Sequence, residues 1–123
     1  MFFRGIRGAI TADGDDVAAI ARATKRLLAE MTRRNAIEVD EIASILFTVT
    51  ADLRAGFPAL AAREMGWVWV PMLHACEIDV PGSLGRCIRV LMHVNTTKQP
   101  AEIEHVYLDG ATVLRPDLMR TSS

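Results

Sequence analysis

Two apolar-rich runs flank a turn that contains Pro81, Gly82 and Gly85. The run after the turn alternates apolar and polar residues, which predicts a strand whose side chains point to opposite faces in turn. One face of this strand carries only apolar residues: Ile88, Val90, Met92 and Val94. The other face carries Arg89, and the strand predicted before the turn, at residues 73–80, carries Glu77. Charges among apolar neighbours are costly unless paired. The pair therefore indicates either a buried or interface salt bridge, or a site that holds an anion against Arg89 and a hydroxyl against Glu77.

A long helix is the clearest element of the N-terminal half. Apolar residues recur every three or four positions over residues 15–34, which is the pattern of a helix with one buried stripe. The predicted stripe is Val17, Ile20, Ala21, Thr24, Leu27, Leu28 and Met31. Asp15 and Asp16 suit its N-terminus, and Asn35 is predicted as the left-handed residue that ends it.

Shorter patterns predict the remaining elements. Further strands are predicted at residues 2–10, 42–50, 67–70, 105–108 and 111–114, and helical segments at residues 39–41, 58–66 and 100–104. Gly5 and Gly8 inside the first strand indicate a bend or a close backbone approach. Asp109-Gly110 favours a two-residue hairpin between the last two strands. The fold class is therefore α+β: a mixed sheet of five or six strands packed by two main helices on one face.

Length and composition indicate one oligomeric domain. A chain of 123 residues fits a single domain, here residues 1–123 with residues 115–123 as a loosely ordered tail. Half of the residues are hydrophobic and the mean hydropathy is +0.20, which is rich for a small monomer, so a homo-oligomer is expected. The net charge of −1 argues against a general nucleic-acid binder. No signal peptide or membrane-spanning apolar run is visible.

The choice of basic residues and cysteines adds two expectations. Twelve arginines stand against two lysines, and arginine suits two-pronged contact with carboxylates, although genomic base composition explains the same bias. Cys76 and Cys87 fit no zinc spacing, so free thiols in a reducing cytoplasm are expected.

Metal and nucleophilic chemistry find little support. The three histidines are scattered without a neighbouring acidic pair, and no metal site is expected. Ser83 does not lie in a nucleophile elbow, and His74 beside Cys76 is ordinarily explained by packing. The remaining polar groups at strand positions are Arg7, Glu77, Arg89 and Tyr107, with Arg63 on the second helix. They suit a receptor for a dianion that also carries a hydroxyl.

Five segments in order resemble the monofunctional, trimeric chorismate mutases of bacteria, the α/β class that is unrelated to the all-helical one. They are residues 4–9, residues 57–59 with 63–64, residues 67–71, residues 77–80 with 87–90, and residues 105–108 with 113–118. The resemblance covers nearly the whole chain. It implies a homotrimer around a pseudo α/β-barrel core, with sites between neighbouring subunits.

The resemblance also implies the reaction. The family rearranges chorismate to prephenate for phenylalanine and tyrosine biosynthesis, an intramolecular Claisen reaction without metal or cofactor. Cations would hold the two substrate carboxylates in the reactive conformer, which is catalysis by orientation. A fixed cation at the ether oxygen would stabilise the negative charge that develops there in the transition state.

By matching positions, the resemblance implies a role for each site residue. Arg89 would be the cation at the ether oxygen, Arg7 and Tyr107 would bind the side-chain carboxylate, and Glu77 would accept a hydrogen bond from the ring hydroxyl. Backbone contacts would come from Leu73, His74, Ala75 and Cys76, pocket walls from Phe57 and Leu114, and positive potential from Arg63 and Arg115.

Two positions depart from the family pattern. Many members carry lysine where this chain has Leu60, and cysteine is common where it has His74. Leu60 is the reason to keep one alternative, a non-catalytic trimeric protein that binds an aromatic or keto acid. A third interpretation treats Arg89 and Glu77 as a plain interface salt bridge.

Overall fold

The computed structural model describes residues 1–114, which build one mixed sheet and two α-helices. The strands are β1 (Phe2–Thr11), β2 (Ile42–Val49), β3 (Met72–Cys76), β4 (Cys87–Thr96) and β5 (Val106–Leu108), and the helices are α1 (Val17–Asn35) and α2 (Pro58–Glu64). Short 3₁₀ helices cover Val39–Glu41, Pro100–Glu102 and Asp109–Leu114. The sheet order is β3-β2-β4-β1-β5, with β4 antiparallel to both neighbours and the edge strands β3 and β5 parallel to theirs. This confirms the predicted α+β fold with five strands.

Helix α1 begins and ends at positions that its caps define. The Asp16 side chain accepts the Ala19 N–H at 2.8 Å, which satisfies one of the free amides of the first turn. The left-handed residue at the other end is Ala36, with φ of 51°, so the prediction of Asn35 was wrong. Asn35 is buried because its side chain binds the backbone of Glu104 through both its amide nitrogen and its oxygen. This clamp ties the helix end to the segment that leads into β5.

The apolar faces of the sheet and of α1 form the core. All four residues of the predicted apolar face of β4 are fully or nearly fully buried. Of the predicted helix stripe, Val17 is exposed and the other positions face inward at least in part. A Cβ on Gly8 would lie 2.4 Å from the Met31 sulfur, so the close approach predicted for β1 is confirmed at this residue. Both helices thus cover one face of the sheet.

Three predicted strands were wrong in part or whole. Residues 67–70 form turns, since Trp67 and Val70 are buried against the core without joining a ladder. β3 ends at Cys76, and the chain from residue 77 to 86 is irregular. Residues 111–114 are helical, so the hairpin across Asp109 does not form; that residue has φ of 53° and binds Arg26 of α1.

Within residues 1–114, the second face of the sheet is open except near β5, where Ala9, Cys87 and Tyr107 are buried with Ala111. Among the described residues, neither α-helix covers it, and Leu73 on β3 remains 72% exposed. Phe3 on β1 is exposed on the same face. An uncovered face with large apolar side chains is typical of a surface that another chain covers.

Candidate active site

The strand register aligns the predicted site residues in two rows across the open face. One row runs from β3 to β5 through Ala75, Thr48, Arg89, Ala9 and Tyr107. The next row runs from β3 to β1 through Leu73, Leu46, Leu91 and Arg7. Because residues two apart on a strand share a face, all of these side chains lie on the side of the sheet away from the helices.

A charged pair joins Arg89, at the centre of the first row, to Glu77, the residue that follows β3. Arg89 Nε is 3.6 Å from Glu77 Oε2, and the two side chains are 45% and 25% exposed. The Thr48 hydroxyl donates a short hydrogen bond to the same carboxylate oxygen. The Glu77 N–H binds Val49 O at 2.9 Å, which continues the β2–β3 pairing one residue beyond β3. The Glu77 carboxylate is therefore held by Thr48 and by Arg89 Nε, and the two terminal nitrogens of the Arg89 guanidinium can still donate to a ligand.

Arg7, Arg89 and Tyr107 line one cleft of about 190 Å³, together with Thr48 and the backbone of β1. Arg7 is exposed, whereas Tyr107 is only 6% exposed and packs with Ala9. Two guanidinium groups and a phenol beside a fixed carboxylate suit an anion with a hydroxyl. The structure therefore brings together all four residues that the sequence singled out.

The neighbouring thiol is not suited to nucleophilic attack. Cys87 is fully buried in the small apolar cluster that also contains Tyr107. Burial raises the pKa of its thiol, although the nearby Arg89 acts in the opposite direction. A buried neutral thiol is a poor nucleophile, so this cysteine serves packing.

A second group of predicted site residues lies at the other edge of the sheet. Phe57 directly precedes α2 and is 72% exposed, and Arg63 is exposed on the same helix. Strands lie about 4.8 Å apart, so Ala75 on β3 and Tyr107 on β5 are roughly 19 Å apart across four spacings. This distance is too long for one single-ring substrate to contact both the 73–76 backbone and Tyr107 of the same chain, whereas the Glu77 side chain extends over β2 to Thr48 and Arg89.

Side chains of β3 lie alternately on the open face and on the helix side of the sheet. Leu73 and Ala75 share the open face, whereas the His74 ring turns to the helix side and stacks on Phe47, with centroids 5.4 Å apart. Cys76 is exposed with a free thiol. Leu114 packs beside Tyr107 against the small apolar cluster, and Arg115 lies outside the described residues.

An adjacent loop shapes the space next to Glu77. Residues 77–85 and 50–52 enclose a cleft of about 400 Å³. Asp52 fixes this loop by accepting the Arg86 N–H at 2.9 Å and the Thr50 hydroxyl at 2.5 Å. The Thr50 hydrogen bond, with help from the Arg86 N–H, lowers the pKa of Asp52 although burial opposes it. The turn that follows Glu77 is thus anchored by a charged group.

Thr48 is the site residue that sequence reasoning missed. It lies on the correct face of β2 in the alternating pattern, but its role depends on the pairing of β2 with β3 and β4. Strands that are distant along the chain meet there, and alternation alone does not give their register. Among residues 1–114, no group of three His, Cys, Asp or Glu side chains could hold a metal ion, and no helix is long and apolar enough to cross a membrane.

The fold and site define a small α+β protein with a cationic, carboxylate-paired cleft on an open sheet face. The family model "Chorismate mutase type I" matches residues 3–118. A "Chorismate mutase AroH" of Thermus thermophilus is 52% identical over 116 residues, covering 94% of this chain and 95% of that protein. The protein of the same name from Bacillus subtilis is 44% identical over 124 residues, covering 100% of this chain and 98% of its own.

A solved chorismate mutase from Clostridium thermocellum gives a TM-score of 0.88 at 54% identity, covering 89% of this chain and 98% of that one. The chain belongs to the chorismate mutase type I family. This confirms the resemblance drawn from five sequence segments and the predicted class of enzyme, an isomerase. It does not favour the alternative of a non-catalytic binding protein.

Proposed function

We propose that the chain rearranges chorismate to prephenate in aromatic amino acid biosynthesis, with Arg89 as the cation at the breaking C–O bond. The observation that carries this assignment is the charged pair at the centre of the open face. Glu77, supported by Thr48, orients Arg89 toward the cleft that also holds Arg7 and Tyr107. Family membership and this cleft together support the reaction.

Orientation supplies the first part of the mechanism. Arg7 and Tyr107 bind one substrate carboxylate, and Glu77 accepts a hydrogen bond from the ring hydroxyl. Arg7 and Tyr107 lie on strands of one sheet and Thr48 holds the Glu77 carboxylate, so their positions are set before the substrate arrives. The folded, diaxial conformer of chorismate is rare in solution. A rigid site that fits this conformer binds it selectively and so raises the fraction of substrate that is ready to react.

Electrostatic stabilisation supplies the second part. As the ether C–O bond breaks, negative charge develops on the oxygen, and the Arg89 guanidinium stabilises that charge more strongly than it stabilises the ground state. Glu77 has two tasks here: it fixes Arg89, and it faces positive charge that develops on the ring. No proton transfer or covalent intermediate is needed.

We further propose that each site is completed by a second copy of the chain, in a homotrimer whose open faces form a shared barrel-like core. The cleft group of Arg7, Glu77, Arg89 and Tyr107 comes from one subunit. The edge group of Phe57, Arg63 and the 73–76 backbone comes from its neighbour, and Leu114 lies beside Tyr107. The sheet-wide separation of the two groups and the exposed Leu73 support this division.

The reaction is tested by mixing purified protein with chorismate in the presence of a chelator. Loss of chorismate absorbance with prephenate as the product is the expected result. A folded protein that binds chorismate without converting it would overturn the proposal in favour of the binding-protein alternative.

The assembly is tested by light scattering at the concentration of the activity assay. A mass of three chains is expected, and a fully active monomer would contradict the shared site.

We also place the enzyme in the cytoplasm, because both cysteines are free thiols, as expected in a reducing compartment.

A further inference from the structure

His74 occupies a position that no catalytic role explains. Its backbone lies in the edge group, but its ring points to the helix side of the sheet. There the His74 Nε2 atom accepts the Ala59 N–H at 3.1 Å. Ala59 is the second residue of α2, so this amide is one of those that a helix start leaves without an intrahelical partner.

Helix α2 lacks a cap from its own N-cap residue. Phe57 occupies the N-cap position with φ of −100° and ψ of 125°, and its side chain makes no capping hydrogen bond. An apolar N-cap residue cannot supply an acceptor, and a missing cap typically costs about 1 kcal/mol. His74 supplies the acceptor from the neighbouring strand, 15 residues away along the chain.

The same ring also contacts the pocket wall. The His74 ring stacks on Phe47 of the core, with centroids 5.4 Å apart, and lies 5.3 Å from the Phe57 ring at a tilt of 49°. Phe47 is fully buried and Phe57 is mostly exposed. The imidazole therefore joins a fixed core ring to an otherwise weakly held ring at the site.

We propose that His74 is a positioning residue for substrate binding: its neutral imidazole caps α2 and holds Phe57 in place as the pocket wall. This inference rests on the proposed function for the identity of the substrate, but not for the cap itself. Positioning of Phe57 affects how well the substrate is held, whereas the charge at the breaking bond comes from Arg89. His74 thus acts on KM much more than on kcat.

Protonation would remove the acceptor. An imidazolium donates at both nitrogens, and its positive charge would lie at the positive end of a helix. Burial lowers the pKa of His74, and the positive charge of Arg63 on α2 lowers it further. The ring meets apolar Phe47 on β2, and on its own strand the titratable Cys76 lies two residues away. These surroundings keep the cap intact at neutral pH and predict its loss in acid.

Two substitutions separate the cap from the packing. His74→Phe keeps an aromatic ring between the two phenylalanines but removes the acceptor. His74→Gln places an amide oxygen near the Nε2 position and does not titrate. Three readouts apply to the assembled protein: hydrogen exchange of the Ala59 amide, the tautomer of His74 from its nitrogen chemical shifts, and KM and kcat for chorismate between pH 5 and 8.

The wild-type imidazole should carry its proton on Nδ1 at neutral pH. In His74→Phe, exchange of the Ala59 amide should be about fivefold faster and KM about fivefold higher than in the wild type, the factor that corresponds to the loss of one helix cap. The kcat of this variant should stay within about twofold of the wild-type value. His74→Gln should keep slow exchange and a low KM. Because the pKa of His74 is lowered, the wild-type KM should rise only in acid, below the ordinary pKa of an imidazole, and this rise should vanish in His74→Gln.

Unchanged Ala59 exchange in His74→Phe, an Nε2–H tautomer in the wild type, or an equal KM rise in wild type and His74→Gln would each overturn the inference. Absence of prephenate formation by the wild type would instead refute the proposed function, while exchange and tautomer would still decide whether His74 caps α2.

Discussion

Removal of the Arg89 side chain should separate catalysis from stability. The Arg89 side chain is 45% exposed in the single chain and forms an ion pair of 3.6 Å with Glu77. Exposed ion pairs contribute about 0–1 kcal/mol, so Arg89→Ala should lower the free energy of unfolding by less than about 1 kcal/mol. In catalysis, loss of one preorganised donor lowers kcat by about 10²–10³-fold, and a charged donor should lie at the upper end or beyond.

The assay is prephenate formation under saturating chorismate, alongside urea unfolding of the same preparation. Arg89→Lys should recover little turnover, because an ammonium is a point charge and cannot reproduce the planar fork. Arg22→Ala is a matched control, since Arg22 is an exposed arginine on α1, in the layer behind the sheet. It should keep both turnover and stability.

Near-normal turnover of Arg89→Ala would refute the proposed mechanism. A large loss of stability with normal turnover would support the third interpretation, in which Arg89 and Glu77 form only a structural salt bridge. Glu77→Gln gives an independent reading, because the structural interpretation expects a loss of stability without a defect in ligand binding.

Three smaller perturbations test the surroundings of the site. Thr48→Val removes the hydroxyl that holds the site carboxylate, and kcat/KM should fall roughly tenfold, the cost of about one lost hydrogen bond to a charged group. Gly8→Ala places a Cβ against the Met31 sulfur at 2.4 Å, so urea unfolding should report a loss of about 1–3 kcal/mol. The Thr50 hydrogen bond lowers the pKa of Asp52, so its stabilisation is present above the unfolded pKa of about 3.9 and is lost as pH falls through the lower folded value. In Asp52→Asn, the urea midpoint of unfolding should depend less on pH between pH 5 and 2 than in the wild type. An unchanged pH dependence would contradict the anchoring of the loop by Asp52.

Local patterns predicted the long elements well. Apolar residues recur every three or four positions in α1 and at every second position in β4. Each pattern indicates one buried face, which can be predicted from the sequence. The end of α1 was harder. Ala36 adopts φ of 51°, and the preceding Asn35 is held by Glu104, 69 residues away, a contact that no local signal contains.

The missed strands share a cause. Asp109-Gly110 has the composition of a hairpin turn, but β5 pairs with β1 and the Gly110 N–H binds the Thr11 hydroxyl, so tertiary contacts override the turn preference. Residues 67–70 form a turn in which Trp67 and Val70 fill the core, while Val68 and Trp69 are exposed. A short apolar run therefore does not by itself indicate a strand.

The candidate site was accessible to sequence reasoning only through chemistry. Arg7, Glu77, Arg89 and Tyr107 stood out as charged or phenolic groups at predicted strand positions. The strand register brings Arg7, Arg89 and Tyr107 to one cleft, and an ion pair joins Glu77 to Arg89. The role of Thr48 and the orientation of the His74 ring could not be predicted, because both depend on how β2, β3 and α2 pack. The pairing of non-adjacent strands is what a single sequence leaves open.

The most direct test of a site shared between copies is complementation in mixed assemblies. Arg89→Ala chains lack the cleft group, and Arg63→Glu chains carry a reversed charge in the edge group. Each homotrimer should have lost most of its prephenate formation. Co-assembled at equal amounts, three-quarters of the trimers are mixed and each contains one intact site of three, so about a quarter of the wild-type turnover should return.

If both groups served the same site from one chain, no intact site would form in any mixed trimer. Turnover of the mixture would then equal the mean of the two inactive parents, and the shared site would be contradicted.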